Sequence, residues 1–375
     1  MLTRRDFCRT AGALTATTIL GSRGLAEDGA TPRTGAEIDF RVTRARRIYS
    51  DGLHNAFTGM ARLDGRVFVC FRSGENHVAP GSGIRVIASS DMDQWETAHY
   101  VSTPTLDYRD PKLVCFDGEL RTYFASVPFR DGRPDSARRV SVVVRSKDGR
   151  KFGEPEPLTG LPKGVWLWHV ASQGDFLYGT GYSRASSGLY LGTLFRSEDG
   201  IAWERLADLP TPGNETFLDF DKDGVLWLLV RRQDQGNVLV LCRAEAPYDA
   251  ITIERQMPMA LGGPFVKRLD HGWIIITRQW DPPGRRNLRT EIFWLADGAE
   301  QPRSITRLPS GGDTSYAAWL DTEPGRAVVS YYSSHEHKMD EAVQDDHLFK
   351  KDAAHAEHTT AADIFLADVS YGFKE

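Results

Sequence analysis

The chain has 375 residues, 41% hydrophobic and 26% charged, with a formal net charge of -5. That balance is ordinary for a soluble globular protein and gives no general reason to expect nucleic acid as a partner, so any basic character must be local. Length alone allows one large domain or two.

Residues 1–26 stand apart from the fold. Thr3-Arg4-Arg5-Asp6-Phe7 precedes a short, mildly apolar run, Ala11–Leu20, and then Gly24-Leu25-Ala26. A basic pair, a short apolar region and a small-residue cleavage site are the parts of a twin-arginine export signal. The run is too short and too rich in Thr, Ala and Gly to span a bilayer, so no stable membrane insertion is expected. Cleavage after Ala26 predicts a mature chain of residues 27–375, periplasmic or secreted, with the twin-arginine export machinery as partner of the precursor. Cys70, Cys115 and Cys242 sit in apolar strand contexts with no metal-type spacing, the pattern of buried free thiols.

From His54 onward one hairpin recurs. Its turn glycines are Gly65, Gly118, Gly174, Gly224, Gly272 and Gly325, spaced by 53, 56, 50, 48 and 53 residues. The fourth copy is the clearest: Thr216–Phe220 and Val225–Arg231 flank Asp221-Lys222-Asp223-Gly224, and Asp-Gly between two apolar runs is a strong hairpin signal. Six units of two clear strands at a period near fifty predict an all-β fold, a six-bladed β-propeller filling residues 27–375. A second element keeps phase with the first. Ser90–Trp95, Ser146–Phe152 and Ser197–Trp203 follow Ser-x-Asp-Gly-x-x-aromatic, in which Asp and Gly make a turn and the aromatic folds back beneath it. The first copy is degenerate, with Asp93 in the glycine place.

In each hairpin the start of the first strand and the end of the second share one edge. Around the six copies that common rim carries His54 and Arg72, Arg109/Asp110 and Ser126, and Trp168/His169 and Tyr182. It continues with Glu215 and Arg231, Gly263 and Arg278, and Ser315/Tyr316 and Tyr331. Arginines, carboxylates and tyrosines converging on one mouth are the makings of a site for an anion.

The Ser-x-Asp-Gly turns look like the Asp-box (BNR) repeats of the sialidase superfamily. HNAFTGMARLDGRVFVCFRSGENHV, DYRDPKL, GNETFLDFDKDGVLWLLVRR and GGDTSYAAWL…SYYSSHE resemble a bacterial sialidase-like (neuraminidase-like) glycoside hydrolase group, over nearly the whole mature domain. The resemblance implies arginines on a substrate carboxylate, a tyrosine nucleophile activated by a glutamate, and an acid/base aspartate on a first-blade loop. It assigns Glu215 as the glutamate, Arg231 and Arg278 as two of the arginines, and Tyr331 as the tyrosine, with Tyr316 and Tyr332 as alternatives. His54-Asn55 replaces the arginine that usually opens the first innermost strand, and Arg72 is the candidate for the third positive charge. The first-blade aspartate also lacks a counterpart, which leaves Glu75 and Asp110 as candidates for the acid/base.

The chemistry behind these assignments is direct. Arginines hold a carboxylate through charge-assisted, often bidentate hydrogen bonds. A phenol of pKa near ~10 needs a neighbouring carboxylate to take its proton before it attacks. His54, Arg109, His169 and Tyr316 complete the candidate substrate contacts, with Trp166, Trp168 and Tyr182 as a wall for a sugar ring. A polar insertion at about 337–360 interrupts the last blade and contains histidines in no recognised metal spacing. No Gly-rich phosphate loop sits between a strand and a helix, so neither cofactor nor metal is expected. The implied function is an exported, exo-acting glycosidase that cleaves a terminal acidic sugar from a glycan. Its alternatives are a polysaccharide lyase and a non-catalytic carbohydrate-binding propeller.

Overall fold

The computed structural model describes residues 36–235, 238–259, 262–281, 287–337 and 361–374. The predicted export signal and nearly all of the 337–360 insertion lie outside them. Six antiparallel sheets succeed one another along the chain. Their innermost strands are His54–Leu63, Leu106–Phe116, Trp166–Gln173, Thr216–Phe220, Gly262–Leu269 and Thr314–Glu323. Each packs against the innermost strand of the next sheet, and the sixth packs against the first, so the blades close into a ring. This is the six-bladed propeller expected from the repeat.

Blade 6 is composite. Its strands Thr314–Glu323, Arg326–Ser333 and Asp363–Phe373 are followed outward by Ile38–Tyr49, from the other end of the chain. The register runs from Ile38 opposite Phe373 to Tyr49 opposite Ile364. Pairing this N-terminal strand with the last sheet fastens the ring with a ladder of backbone hydrogen bonds, interrupted by bulges between Val42 and Arg44 and between Arg47 and Tyr49. The hairpin repeat carried no signal of this closure, because Ile38–Tyr49 has no hairpin partner in sequence.

Blades adhere through their apolar faces. Between blades 3 and 4, Leu194, Leu218, Leu228, Val230, Val240 and Cys242 form one buried cluster; each such aliphatic side chain contributes about 1.5–3 kcal/mol by leaving water. Cys70 and Cys242 are buried and Cys115 half-buried, all three as free thiols. The Asp221–Gly224 turn adopts the conformation its residues demand. Gly224 has φ +78°, Asp221 Oδ1 accepts the amides of Asp223 and Val225, and Asp221 Oδ2 accepts from Trp227 Nε1.

The outer turns need one correction. In two of them Asp148 Oδ1 accepts the amides of Arg150 and Lys151, and Asp199 Oδ1 those of Ile201 and Ala202. The equivalent acceptor in blade 1 is Asp91 Oδ1, on Asp93 and Gln94, with Ser89 rather than Ser90 as the opening serine. Met92, at φ +62°, therefore stands where Gly149 and Gly200 stand elsewhere. Asp93 is one residue past that place.

A second repeated irregularity positions the site. The pairing of innermost strand with its neighbour slips between Ala56 and Gly59, Arg109 and Lys112, Leu167 and His169, Gly262 and Phe265, and Ser315 and Ala318. Four of these bulges contain left-handed backbone: Phe57 (φ 65°), Asp110 (49°), Gly263 (62°) and, in the last, both Ser315 (97°) and Tyr316 (54°). An extra residue in one strand re-aims a side chain, and left-handed backbone in a bulky residue stores strain that surrounding structure must hold. Phe57, Asp110 and Tyr316 occupy corresponding places in blades 1, 2 and 6.

Candidate active site

The Glu215–Arg231 pair forms as its hairpin implies. Arg231 donates its amide to Glu215 O at 3.1 Å, and its Nη1 lies 2.9 Å from Glu215 Oε2. Asn214 fixes the pair by accepting Arg231 Nε at 2.9 Å on the same Oδ1 that accepts the Glu215 amide. Gly263 N–H donates to Glu215 Oε2 at 3.2 Å, while Tyr316 Oη donates to Glu215 Oε1 at 2.8 Å. Burial, reinforced by the Glu215 charge, pushes the Tyr316 phenol well above its ordinary range despite Arg278 and Arg231. The resting pair is therefore a neutral phenol on a carboxylate.

Tyr331 is not part of this cluster. Its ring is fully buried and stacked on Phe365, and its hydroxyl donates to Pro309 O at 2.9 Å. The neighbouring residue, Tyr332, faces the other way, as alternation along a strand requires. Tyr332 Oη donates to Asp313 Oδ1 at 2.7 Å and accepts from Arg278 Nη2 at 2.7 Å.

Arg278 is anchored through Nε on Thr314 O and through Nη2 on Asp313 and Tyr332. Its Nη1 takes no part in these bonds and sits beside Gly262. A Cβ added at Gly262 would meet Arg231 Nη1 at 3.2 Å and Arg278 Nη1 at 3.6 Å. The absent side chain thus leaves a gap flanked by two guanidinium nitrogens.

Arg72 does not supply the third charge. It is fully buried, with Nε on Asp107 at 2.8 Å, Nη1 on Asn76 O and Nη2 on Ser82 Oγ. Every face of the guanidinium is occupied, so it braces the loop after blade 1 instead of facing a ligand. Arg109, the arginine next along the rim, reaches the mouth. Its Nη1 contacts Asp107 at 3.2 Å, its guanidinium lies 5.6 Å from the Phe57 ring centroid, and its buried Nε has no hydrogen-bond partner among the described residues.

Asp110 is buried, and its Oδ1 has no partner among the described residues. Burial raises its pKa; Arg109 and Lys112 oppose the shift and Glu215 adds to it. The other acid candidate, Glu75, is exposed on the blade 1 loop after Arg72, and no contact among the described residues joins it to Glu215 or Tyr316. His169 is buried against Phe217, ring centroids 3.9 Å apart, and lines an axial cavity of about 370 Å³ with Lys112, Trp168 and Lys267. Tyr316 lines the same cavity, and no hydrogen bond joins His169 to the arginines among the described residues.

His54 also departs from expectation. It is fully buried, with Nε2 2.8 Å from Asp313 Oδ2, so it acts on Asp313 and not on a ligand. His77 Nδ1 approaches the same oxygen at 2.6 Å. Asp313 thereby receives four donors: His54 and His77 on Oδ2, Arg278 and Tyr332 on Oδ1. Burial alone would raise its pKa, but His77, Arg278 and these hydrogen bonds outweigh burial and hold it well below the usual carboxylate range. Among the described residues His54, His77 and Asp313 gather within 4.8 Å as cation ligands would. The 2.6 and 2.8 Å separations are hydrogen-bond lengths, and the carboxylate already balances Arg278, so the trio is a charge-paired network. Sequence reasoning missed Asp313 because its signal, an acid between two glycines and a strand, is that of an ordinary turn.

No family model matches the chain, and no curated protein matches it. Solved structures do. A protein of unknown function from Dyadobacter fermentans superposes with TM-score 0.69 at 18% identity, over 88% of this chain and 99% of that one. Trypanosoma rangeli sialidase in complex with sialic acid gives 0.60 at 11% identity, over 88% of this chain and 57% of that one. The same enzyme with 2,3-difluorosialic acid, a covalent intermediate, gives 0.57 at 12% identity. The chain spans little more than half the length of these sialidases. At such identities the likeness is one of fold: a propeller of the sialidase type.

Proposed function

We propose that the protein is an exo-acting glycoside hydrolase that cleaves a terminal acidic sugar from a glycan with retention of configuration. The observation that carries this reading is the junction of Tyr316, Glu215, Arg231 and Arg278: a phenol on a carboxylate beside two guanidinium groups that converge on Gly262. Arg231 and Arg278 hold the sugar carboxylate at Gly262, with Arg109 approaching from blade 2. A carboxylate nucleophile would repel such a substrate, whereas a phenol neutral at rest does not, and tyrosine-based sialidases are the known exception to two-carboxylate hydrolysis.

The steps balance without a cofactor. Tyr316 Oη attacks the anomeric carbon as Glu215 Oε1 takes the phenolic proton, and the bond to the leaving oxygen breaks as Asp110 protonates it. Water then attacks the same carbon, giving its proton to Asp110, while Tyr316 departs and recovers its own from Glu215. The N-terminal sequence supports export by the twin-arginine route, which places this reaction in the periplasm or outside the cell.

Asp110 must be protonated for the first step. Its raised pKa keeps the acid form present to higher pH than an ordinary aspartate would, and activity is expected to fall as pH rises through that value. Asp110→Asn is expected to remove the basic limb of the kcat profile; an unchanged limb would exclude Asp110 as the acid. The gap at Gly262 gives a second expectation. Gly262→Ala is expected to weaken binding of N-acetylneuraminic acid by about tenfold or more, the loss of roughly one charge-assisted hydrogen bond, with the melting temperature near that of wild type. Titration calorimetry reads this directly, and unaltered affinity would remove the clamp.

The test of the reading itself is turnover of fluorogenic sialosides, uronides and neutral glycosides by the purified protein. Release from acidic glycosides alone supports it. An unsaturated product absorbing in the near ultraviolet would indicate a lyase instead, and binding without turnover a carbohydrate-binding propeller.

A further inference from the structure

The acidic-sugar reading accounts for the blade 4, 5 and 6 side of the mouth and leaves the blade 1 side unexplained. There the arginine of the sialidase pattern is replaced by His54, and the loop after Arg72 brings up His77. The two imidazoles are packed edge to face, centroids 5.2 Å apart, and both address Asp313 Oδ2.

This arrangement fixes the state of His77. Asp313 is held ionised by Arg278, Tyr332 and His54, so its oxygen only accepts, and the proton in the 2.6 Å contact belongs to His77 Nδ1. Burial pushes the His77 imidazole down to about 3, more than Asp313 pulls it up, with His54 and Arg109 adding to the depression. Asp313 carries one charge and already pairs it with Arg278 at 3.0 Å, so no counter-charge remains for an imidazolium; the ring is neutral, protonated on Nδ1, and Nε2 carries a lone pair. About a fifth of the side chain is exposed. Because Nδ1 is turned against a carboxylate with no exposure, the exposed edge is the one bearing Nε2, which makes no hydrogen bond with the described residues.

The ring is also one residue removed from the proposed centre: Asp313 joins it to Arg278, and Phe57 joins it to Tyr316. Phe57, the left-handed residue of the blade 1 bulge, contacts His77 edge-on at 5.3 Å and Tyr316 edge-on at 4.9 Å, with the Arg109 guanidinium 5.6 Å from its centroid. One phenyl ring thus separates His77 from the phenol.

We infer that His77 is a specificity-determining contact: a locked acceptor whose Nε2 takes a hydrogen bond from a hydroxyl or amide N–H of the sugar acid held by Arg231 and Arg278. This rests on the acidic-sugar reading and narrows it. The ligand carries its anion on the blade 4–6 side and a hydrogen-bond donor on the blade 1 side. A sulfated or doubly anionic sugar presenting a second anion to blade 1 is disfavoured, because a neutral imidazole lone pair repels what an arginine would attract.

The experiment uses the full chain labelled with ¹⁵N-histidine, with N-acetylneuraminic acid as probe. In the free protein the two-bond nitrogen–proton spectrum is expected to show His77 protonated on Nδ1 and bare on Nε2 between about pH 5 and 8. At saturation the Nε2 resonance moves toward that of a hydrogen-bonded acceptor while Nδ1 stays. His77→Gln, which keeps an acceptor, should retain affinity within about threefold, whereas His77→Phe should lose about tenfold, one neutral hydrogen bond. A protonated Nε2 in the free protein at neutral pH overturns the inference whether or not any sugar binds. Binding that leaves Nε2 unmoved overturns it alone. If neither N-acetylneuraminic acid nor any other sugar acid binds, the inference falls together with the reading beneath it.

Discussion

Replacing Tyr316 with phenylalanine is expected to lower kcat by at least on the order of 10³-fold, the scale of losing a group that acts as part of a catalytic unit, while leaving the fold and ligand affinity close to wild type. Among the described residues the hydroxyl has one partner, Glu215 Oε1 at 2.8 Å, and its removal leaves the ring packed against Phe57 and Trp168. The same change at Tyr331 should behave in the opposite way. Its hydroxyl bonds to Pro309 O beside the Phe365 ring, so Tyr331→Phe should cost about 0.5–1.5 kcal/mol of stability and leave kcat within a factor of a few. Steady-state kinetics and urea unfolding on the two variants separate the roles. An inactive Tyr331→Phe beside an active Tyr316→Phe would invert the assignment.

The other large effect is expected at Asp313. Asp313→Asn keeps the shape but removes the charge that balances a buried Arg278 and that orders His54 and His77. Breaking one side of a buried ion pair costs about 3–5 kcal/mol, because the remaining charge keeps its desolvation penalty. A double-mutant cycle with Arg278→Met distinguishes pairing from generic damage. The double variant should recover part of the loss, with a coupling energy of at least ~1 kcal/mol. Strict additivity in urea unfolding would mean that Asp313 does not act through Arg278. Loss of acid binding should accompany the stability loss, since Arg278 Nη1 is aimed into the gap by the bonds that Nε and Nη2 make.

Much of this architecture was legible in the residues. The Asp-Gly hairpin at Gly224, repeated at a period near fifty, encodes the propeller because each copy satisfies its own turn and strand chemistry locally. The juxtaposition of Glu215 and Arg231 follows from antiparallel pairing alone. What was not legible depends on contacts distant in sequence. Ile38–Tyr49 finds its partner more than three hundred residues away, at Asp363–Phe373. Arg72 and Arg109 are equally plausible by composition; both touch Asp107, and it is Asn76 O and Ser82 Oγ, on the loop after blade 1, that take up the rest of Arg72.

The tyrosines are the instructive case, because it is Tyr316 and not Tyr331 whose hydroxyl meets Glu215. Alternation along Arg326–Ser333 places Tyr331 and Tyr332 on opposite faces but does not say which face is inward. Tyr316 owes its position to a bulge in which Ser315 and Tyr316 have φ 97° and 54°, conformations that no period-two pattern anticipates. The strain coincides with the residue whose geometry matters most. It is held by Thr58 Oγ1, which donates to Tyr316 O at 2.9 Å, and by the Arg278 guanidinium 5.3 Å from the ring centroid.

The most direct test is to trap the intermediate. A 2,3-difluorinated sialic acid with a good leaving group reacts with a retaining enzyme and leaves the sugar on its nucleophile. After incubation with the purified full chain, peptide mass spectrometry should find the added sugar on the peptide bearing Tyr316, and none in Tyr316→Phe or Glu215→Gln. A sugar on Tyr331, Tyr332 or a carboxylate, or sialoside turnover with no covalent species at any time, would contradict Tyr316 as the attacking group.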